Sequence, residues 1–147
     1  MTGVETPATA PADERAGRDQ RVVDTSFIGA IVFGDLALET VDLDWDSRSF
    51  IAPSIIRYEF INVCAKKQRA GSIDAGRALD ALRVFDSLSI TTEYVSFPET
   101  LATAMRYRLS GYDAAYLWMA LSHGLPLLTL DAQLHKAWQL ALKELSR

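Results

Sequence analysis

The stretch LSGYDAAYLWMALSHGLPLLTLDAQL, residues 109–134, decides the fold class. From Asp113 to Ser122 the residues read as a helix, and Gly124 is a good stop for it. Pro126 to Leu130 reads as a short apolar strand, and Ala132 opens a terminal helix. A continuous apolar strand set between helices is the mark of a parallel sheet buried on both faces. Two aspartates, Asp113 and Asp131, break segments whose pattern otherwise asks for Leu or Val.

Working outward, the same alternation recurs. Val22–Val23 is a short apolar run that stops at Asp24, and a helix follows from Ser26 to about Phe33. Asp35 to Trp45 is expected to be helix giving way to loop. Ser49 to Ala52 reads as a second strand. Ser54 is a suitable cap for a helix that ends at Gly71, with Ile56, Phe60, Val63 and Cys64 as its apolar stripe. A further helix is expected from Ile73 to Leu88, with Leu79, Leu82 and Phe85 facing inward. Glu93 to Phe97 reads as a third strand ended by Pro98, and Glu99 to Leu109 as helix. Strands alternating with helices predict an α/β fold with helices on both faces of a parallel sheet. In such folds ligand sites gather at the carboxyl ends of the strands.

The 147 residues suffice for one domain. With 49% hydrophobic and 23% charged residues the composition is that of an ordinary globular protein. No apolar run approaches the roughly 18–20 residues of a membrane span. Residues 1–21, rich in Ala, Thr, Pro and charge, read as a disordered tail without a secretory pattern. The single cysteine, Cys64, rules out an internal disulfide framework and suits a cytoplasmic protein. The net charge of −4 argues against a uniformly basic nucleic-acid surface. Charge is uneven, however. Between residues 57 and 83 the bases Arg57, Lys66, Lys67, Arg69, Arg77 and Arg83 face only Glu59, Asp74 and Asp80. Each alone reads as a solvated helix surface; together they can also contact phosphates.

Four carboxylates carry the chemistry. Asp24 and Asp131 directly follow the first and fourth strands, so both emerge at one edge of a parallel sheet. Glu59, at 100° per residue, lies on the border of its helix's buried face beside Asn62. Asp113 opens a helix whose face through Tyr116, Leu117 and Ala120 is apolar. Singly, the aspartates read as helix caps, and Glu59 as a partner of Lys66, Lys67 or Arg57. As a group, carboxylates repel one another unless a cation intervenes. Hard oxygen ligands with neither His nor Cys suit Mg²⁺ or Mn²⁺ better than zinc. An acidic cluster of this kind suits metal-assisted phosphodiester hydrolysis. The hydroxyls of Thr25, Ser26 and Thr129 are placed to orient a carboxylate. No phosphate-binding glycine loop or dinucleotide motif competes.

VVDTS at 22–26, PSIIRYEFINV at 53–63, LSGYDAAYLWMA at 109–120 and PLLTLD at 126–131 together resemble the PIN-domain ribonucleases. More narrowly they are similar to the VapC toxins of type II toxin–antitoxin pairs. The resemblance runs from Val22 to the C-terminus, so residues 22–147 would be the PIN domain. It implies a three-layer α/β sandwich around a parallel sheet of four or five strands; the fifth edge strand, common in the family, is expected to be missing or very short here, because the terminal WQLALKELSR shows no clear strand. It places the acidic metal site on Asp24, Glu59, Asp113 and Asp131, with Ser26, Asn62 and Thr129 in support. It further implies a Mg²⁺- or Mn²⁺-dependent endoribonuclease acting on structured RNA such as transfer or ribosomal RNA. A homodimer and a small cognate antitoxin of the VapB kind would be its partners. Two other readings remain open: a PIN-fold RNA- or protein-binding module without turnover, and an aspartyl-phosphate phosphotransferase centred on Asp24. The second lacks the Asp usually found two residues on, where this chain has Ser26.

Overall fold

The computed structural model of the protein describes residues 20–34 and 49–147. Nearly all of the expected 1–21 tail and the whole Asp35–Trp45 segment lie outside the described residues. Four strands form one sheet: β1 (Arg21–Val23), β2 (Phe50–Pro53), β3 (Thr91–Glu93) and β4 (Leu127–Leu128). Six helices flank it among the described residues: α1 (Thr25–Val32), α2 (Ile56–Arg69), α3 (Ala75–Ser87), α4 (Phe97–Tyr107), α5 (Gly111–His123) and α6 (Ala132–Leu145).

The strand order is β3-β2-β1-β4 and every pair is parallel. Val22 is the hinge of the sheet, paired with Ile51 on one side and Leu127 on the other. Crossovers between parallel strands are right-handed. The chain steps outward from β1 to β2 to β3, which puts α1, α2 and α3 on one face. It then returns across the sheet to β4, which puts α4 and α5 on the other. The contacts follow this rule: α5 packs on β1, β2 and β4 with α4 and α6 beside it, while α1, α2 and α3 pack on one another. The direction reverses between β1 and β4, and that is the crevice where open α/β sheets hold ligands.

The core explains the apolar strands. Val22, Val23, Phe50, Ile51 and Ala52 are buried because helices cover both faces. On the α1–α3 side Phe60 stacks on Phe85 with ring centres 4.7 Å apart, and Phe27 meets Phe50 edge-on. On the other side Tyr116, Leu117 and Met119 are buried along α5. Cys64 is buried as a small apolar residue.

Several sequence expectations need correction. The third strand is Thr91–Glu93, not Glu93–Phe97, and Pro98 lies in the first turn of α4 instead of ending a strand. Proline tolerates that position because the N–H it lacks has no helical partner there. Ser54 does not cap α2; its N–H donates to the Glu93 carbonyl at 3.0 Å and prolongs the β2–β3 ladder. The α3 helix starts later than Ile73, after Asp74, whose carboxylate accepts the Arg77 N–H at 2.7 Å. Phe85 faces inward as expected, but Leu79 is exposed and Ala81 takes the buried place. No fifth strand is present among the described residues.

Phe60 has no exposed surface and sits between Phe33 and Phe85. Phe60→Ala should cost about 3–5 kcal/mol, from lost transfer energy plus an unfilled cavity. A urea unfolding midpoint within experimental error of the parent would show that this aromatic stack does not carry the α1–α3 layer.

Candidate functional site

Asp24 follows the last residue of β1, and its N–H still donates to the Leu128 carbonyl of β4 at 3.2 Å. The backbone is then extended enough for the side chain to turn back and cap α1, accepting the Phe27 N–H at 3.0 Å. The bland and the functional readings of Asp24 therefore coexist. Only 5% of the residue is exposed. Its Oδ1 also accepts the Ser26 hydroxyl at 2.7 Å, and its Oδ2 accepts the Thr129 hydroxyl. Ser26 Oγ in turn accepts the Leu130 N–H at 2.9 Å, and Thr129 Oγ1 accepts the Asp131 N–H at 3.0 Å. One carboxylate thus ties the β1–α1 turn to the β4–α6 turn across the reversal in strand order.

Asp131 caps α6 by accepting the Leu134 N–H at 2.8 Å. Asp113 lies in the first turn of α5, where Ser110 is the cap. A carboxylate there is favoured by the helix dipole. Glu59 is half-buried on α2 and takes none of the basic partners its sequence neighbourhood offered. Its Oε1 accepts the Tyr116 hydroxyl at 2.7 Å, and the Tyr116 hydroxyl oxygen itself lies 3.1 Å from Thr25 Oγ1. In sequence Tyr116 reads only as part of the apolar face of its helix. It is 1% exposed, and its hydroxyl sets the position of Glu59. The signal was faint but present: Tyr116 lies one turn after Asp113 on the same side of α5.

The four acids converge. Asp24 feels the charge of Asp131; Asp113 feels both Asp131 and Asp24; Glu59 feels Asp113 and Asp24. Burial holds the carboxyls of Asp24, Glu59 and Asp113 above their ordinary range, and these mutual repulsions push the same way. Hydrogen bonds to Asp24 and Glu59 oppose the rise without cancelling it. Burial first, then the Glu59 charge, drives the Tyr116 phenol far upward, so it stays a donor. Of the expected supporting residues, Ser26 and Thr129 touch Asp24 directly. Asn62 is exposed and lines a concavity with Thr25, Ser26, Glu59, Val63 and Lys66.

The donor set of carboxylates and hydroxyls matches a hard divalent ion. Among the described residues, though, no three acidic, His or Cys side chains close into a ready-made ligand group.

The chain belongs to the PIN domain family, whose match spans residues 21–138. PIN domains are generally metal-dependent nucleases, typically with Mg²⁺ or Mn²⁺, so membership suggests nuclease activity. The fold is similar to the crystal structure of PAE2754 from Pyrobaculum aerophilum. The TM-score is 0.66, over 86% of this chain and 95% of that one, at 24% sequence identity. At that identity the likeness speaks for the fold. Among curated proteins no sequence match is found.

The raised carboxyls make a testable link between pH and stability. Above the ordinary carboxylate range the folded state keeps protons that the unfolded chain has released. Their stabilising contribution is full below that range and is lost as pH rises through the raised values. In chelator, therefore, the melting temperature should fall as pH rises from the ordinary carboxylate range through the raised values. Asp24→Asn keeps the shape and removes one buried charge. It should melt a few degrees (~2–4 °C per kcal/mol) above the parent at pH 7, with a flatter pH profile. If the variant melts lower at pH 7 with an unchanged slope, Asp24 is not a strained carboxylate.

Proposed function

We propose that the protein is the toxin of a type II toxin–antitoxin pair, a Mg²⁺- or Mn²⁺-dependent endoribonuclease of the VapC kind. The observation that carries this reading is the buried Asp24 carboxylate, hydrogen-bonded by Ser26 and Thr129 at the strand-order reversal with Glu59, Asp113 and Asp131 around it. Asp24, Glu59, Asp113 and Asp131 would hold the ion, which supplies Lewis acidity: it sharpens water as a nucleophile and offsets charge on the phosphate.

The chain's own groups do the rest. Ser26, Thr129 and the Phe27 N–H fix Asp24 so that it cannot swing away from the crevice. Tyr116 does the same for Glu59, holding the carboxylate by its Oε1. Because burial raises their proton affinity, Asp24, Glu59 and Asp113 hold a proton at higher pH than a free carboxyl does, the direction that suits proton transfer. The phosphodiester would lie in the crevice for in-line attack by water.

Structured RNA, transfer or ribosomal, is the proposed substrate, and a VapB-like antitoxin the proposed inhibitor, in the cytoplasm. No helix among the described residues is long and apolar enough to cross a membrane. An antitoxin Arg placed among the acids would stand in for the missing positive charge.

A homodimer completes the reading. Tyr94 is 92% exposed and Phe97 88%, and with Leu101 and Tyr112 they line an apolar concavity of about 560 Å³. Exposed aromatic side chains around an apolar concavity are the kind of surface that forms the core of a protein–protein interface. A second copy is its proposed occupant. Phe97→Arg should convert a dimer to a monomer in light scattering while leaving the melting temperature near the parent's. A parent chain that is monomeric at micromolar concentration removes the dimer from the proposal.

For the activity, purified protein should cleave total RNA with Mg²⁺ or Mn²⁺ and stop on addition of chelator. Asp24→Ala and Asp113→Ala should each lower the rate by a factor of about 100 or more, as loss of a metal or proton-transfer group does. Unchanged cleavage in both variants refutes the mechanism. RNA that is bound but never cut supports the non-catalytic binding module instead.

A further inference from the structure

The six bases between Arg57 and Arg83 look equivalent in sequence, and the structure separates them. Arg57 reaches Asp86 at 3.3 Å and Arg83 reaches Asp80 at 2.9 Å. Lys67 lies over the Phe33 ring at 4.6 Å. Arg77 lies over the same ring at 5.5 Å and donates to the Val32 carbonyl at 3.3 Å. All four are thus engaged with groups of the protein itself: Arg83 within α3, and Arg57, Lys67 and Arg77 across to a neighbouring helix. Arg69 is exposed near the end of α2 and lines none of the concavities described around the site.

Lys66 differs. It makes no hydrogen bond or ion pair with the described residues, and it lines the concavity of about 320 Å³ that also exposes Thr25, Ser26, Glu59 and Asn62. On α2 the spacing of Glu59, Asn62 and Lys66 is i, i+3, i+7, which aligns the three along one helix face. Lys66 stands two turns from Glu59, roughly 10 Å along the axis. That is too far to neutralise Glu59 directly and right for a group beyond it.

A site of four carboxylates on a chain of net charge −4 repels a polyanion. A substrate strand entering it needs positive charge at the rim. We propose that Lys66 binds a backbone phosphate of the RNA next to the reacting one, with the Asn62 amide beside it. Lys66 is thus a binding and positioning residue that sets how the strand lies across Glu59. This rests on the ribonuclease reading above. A lysine here acts as a point charge on phosphate and reads no base, so its effect is independent of sequence.

The test uses the full chain and bulk transfer RNA. Cleavage is measured with Mn²⁺, and binding by fluorescence anisotropy in chelator so that nothing is cut. Lys66→Ala should raise KM and weaken binding about tenfold, change kcat less than twofold, and reduce the slope of log affinity against log salt by about 0.7–1. Lys66→Glu should be worse and Lys66→Arg close to the parent. Arg69→Ala, on the same helix outside the concavity, should change KM less than twofold. Melting temperatures identify any variant that fails to fold, and Lys66→Arg keeps the comparison open if Lys66→Ala does. A parent that cuts RNA while Lys66→Ala keeps its KM, affinity and salt slope overturns the inference alone. So does a fall in kcat with KM unchanged. A parent that neither binds nor cuts RNA overturns the ribonuclease reading and this inference with it.

Discussion

The Asp24 carboxylate is the constraint on which the rest of the site depends. It sits at the end of the central strand, nearly without solvent, where an unpaired charge is costly. Three donors from two separate turns make the charge tolerable: the Ser26 hydroxyl, the Phe27 N–H and the Thr129 hydroxyl. Each of those donors also organises backbone around it. The carboxylate therefore joins the β1–α1 and β4–α6 turns, and through them orients Asp131. Remove the charge and the sheet need not open, but the reason for this arrangement of hydroxyls disappears.

Around that anchor, the fold brings together groups far apart in the chain. The reversal of strand order between β1 and β4 opens a crevice at the carboxyl ends of the strands. The α2 helix enters from the β2 side carrying Glu59, and α5 enters from the opposite layer carrying Asp113 and Tyr116. The Tyr116–Glu59 bond at 2.7 Å is the contact that couples the two layers at the site. Repulsion and burial leave three carboxyls with raised proton affinity, a state that costs stability and readies the site for a cation. The same charge that suits a cation opposes an RNA strand, which is why a free lysine at the rim matters.

Much of the fold was legible because buried parallel strands and amphipathic helices leave strong local marks. Val22–Val23, Ser49–Ala52 and Pro126–Leu130 were found within a residue or two. The third strand was misplaced for a physical reason. Tyr94, Val95 and Phe97 are apolar, as a strand should be, but Tyr94 and Phe97 face an open groove, while β3 itself is an exposed edge made of Thr91, Thr92 and Glu93. Local hydrophobicity reports that a surface is covered or sticky and does not say by what. Leu79, read as core and found exposed, fails for the same reason.

By itself the sequence determined the alternation of strands and helices, and hence the parallel sheet. It also determined that four carboxylates stand at strand ends, a helix start and the border of a buried face. Those are local properties, set by residue type and spacing along a few turns. Only the tertiary structure decided which hydroxyls serve Asp24, that Tyr116 holds Glu59, and that Lys66, alone among six similar bases, lines the concavity beside the site. Such pairings span up to about a hundred positions in the chain. They follow from crossover handedness and helix packing, which no single stretch of sequence encodes.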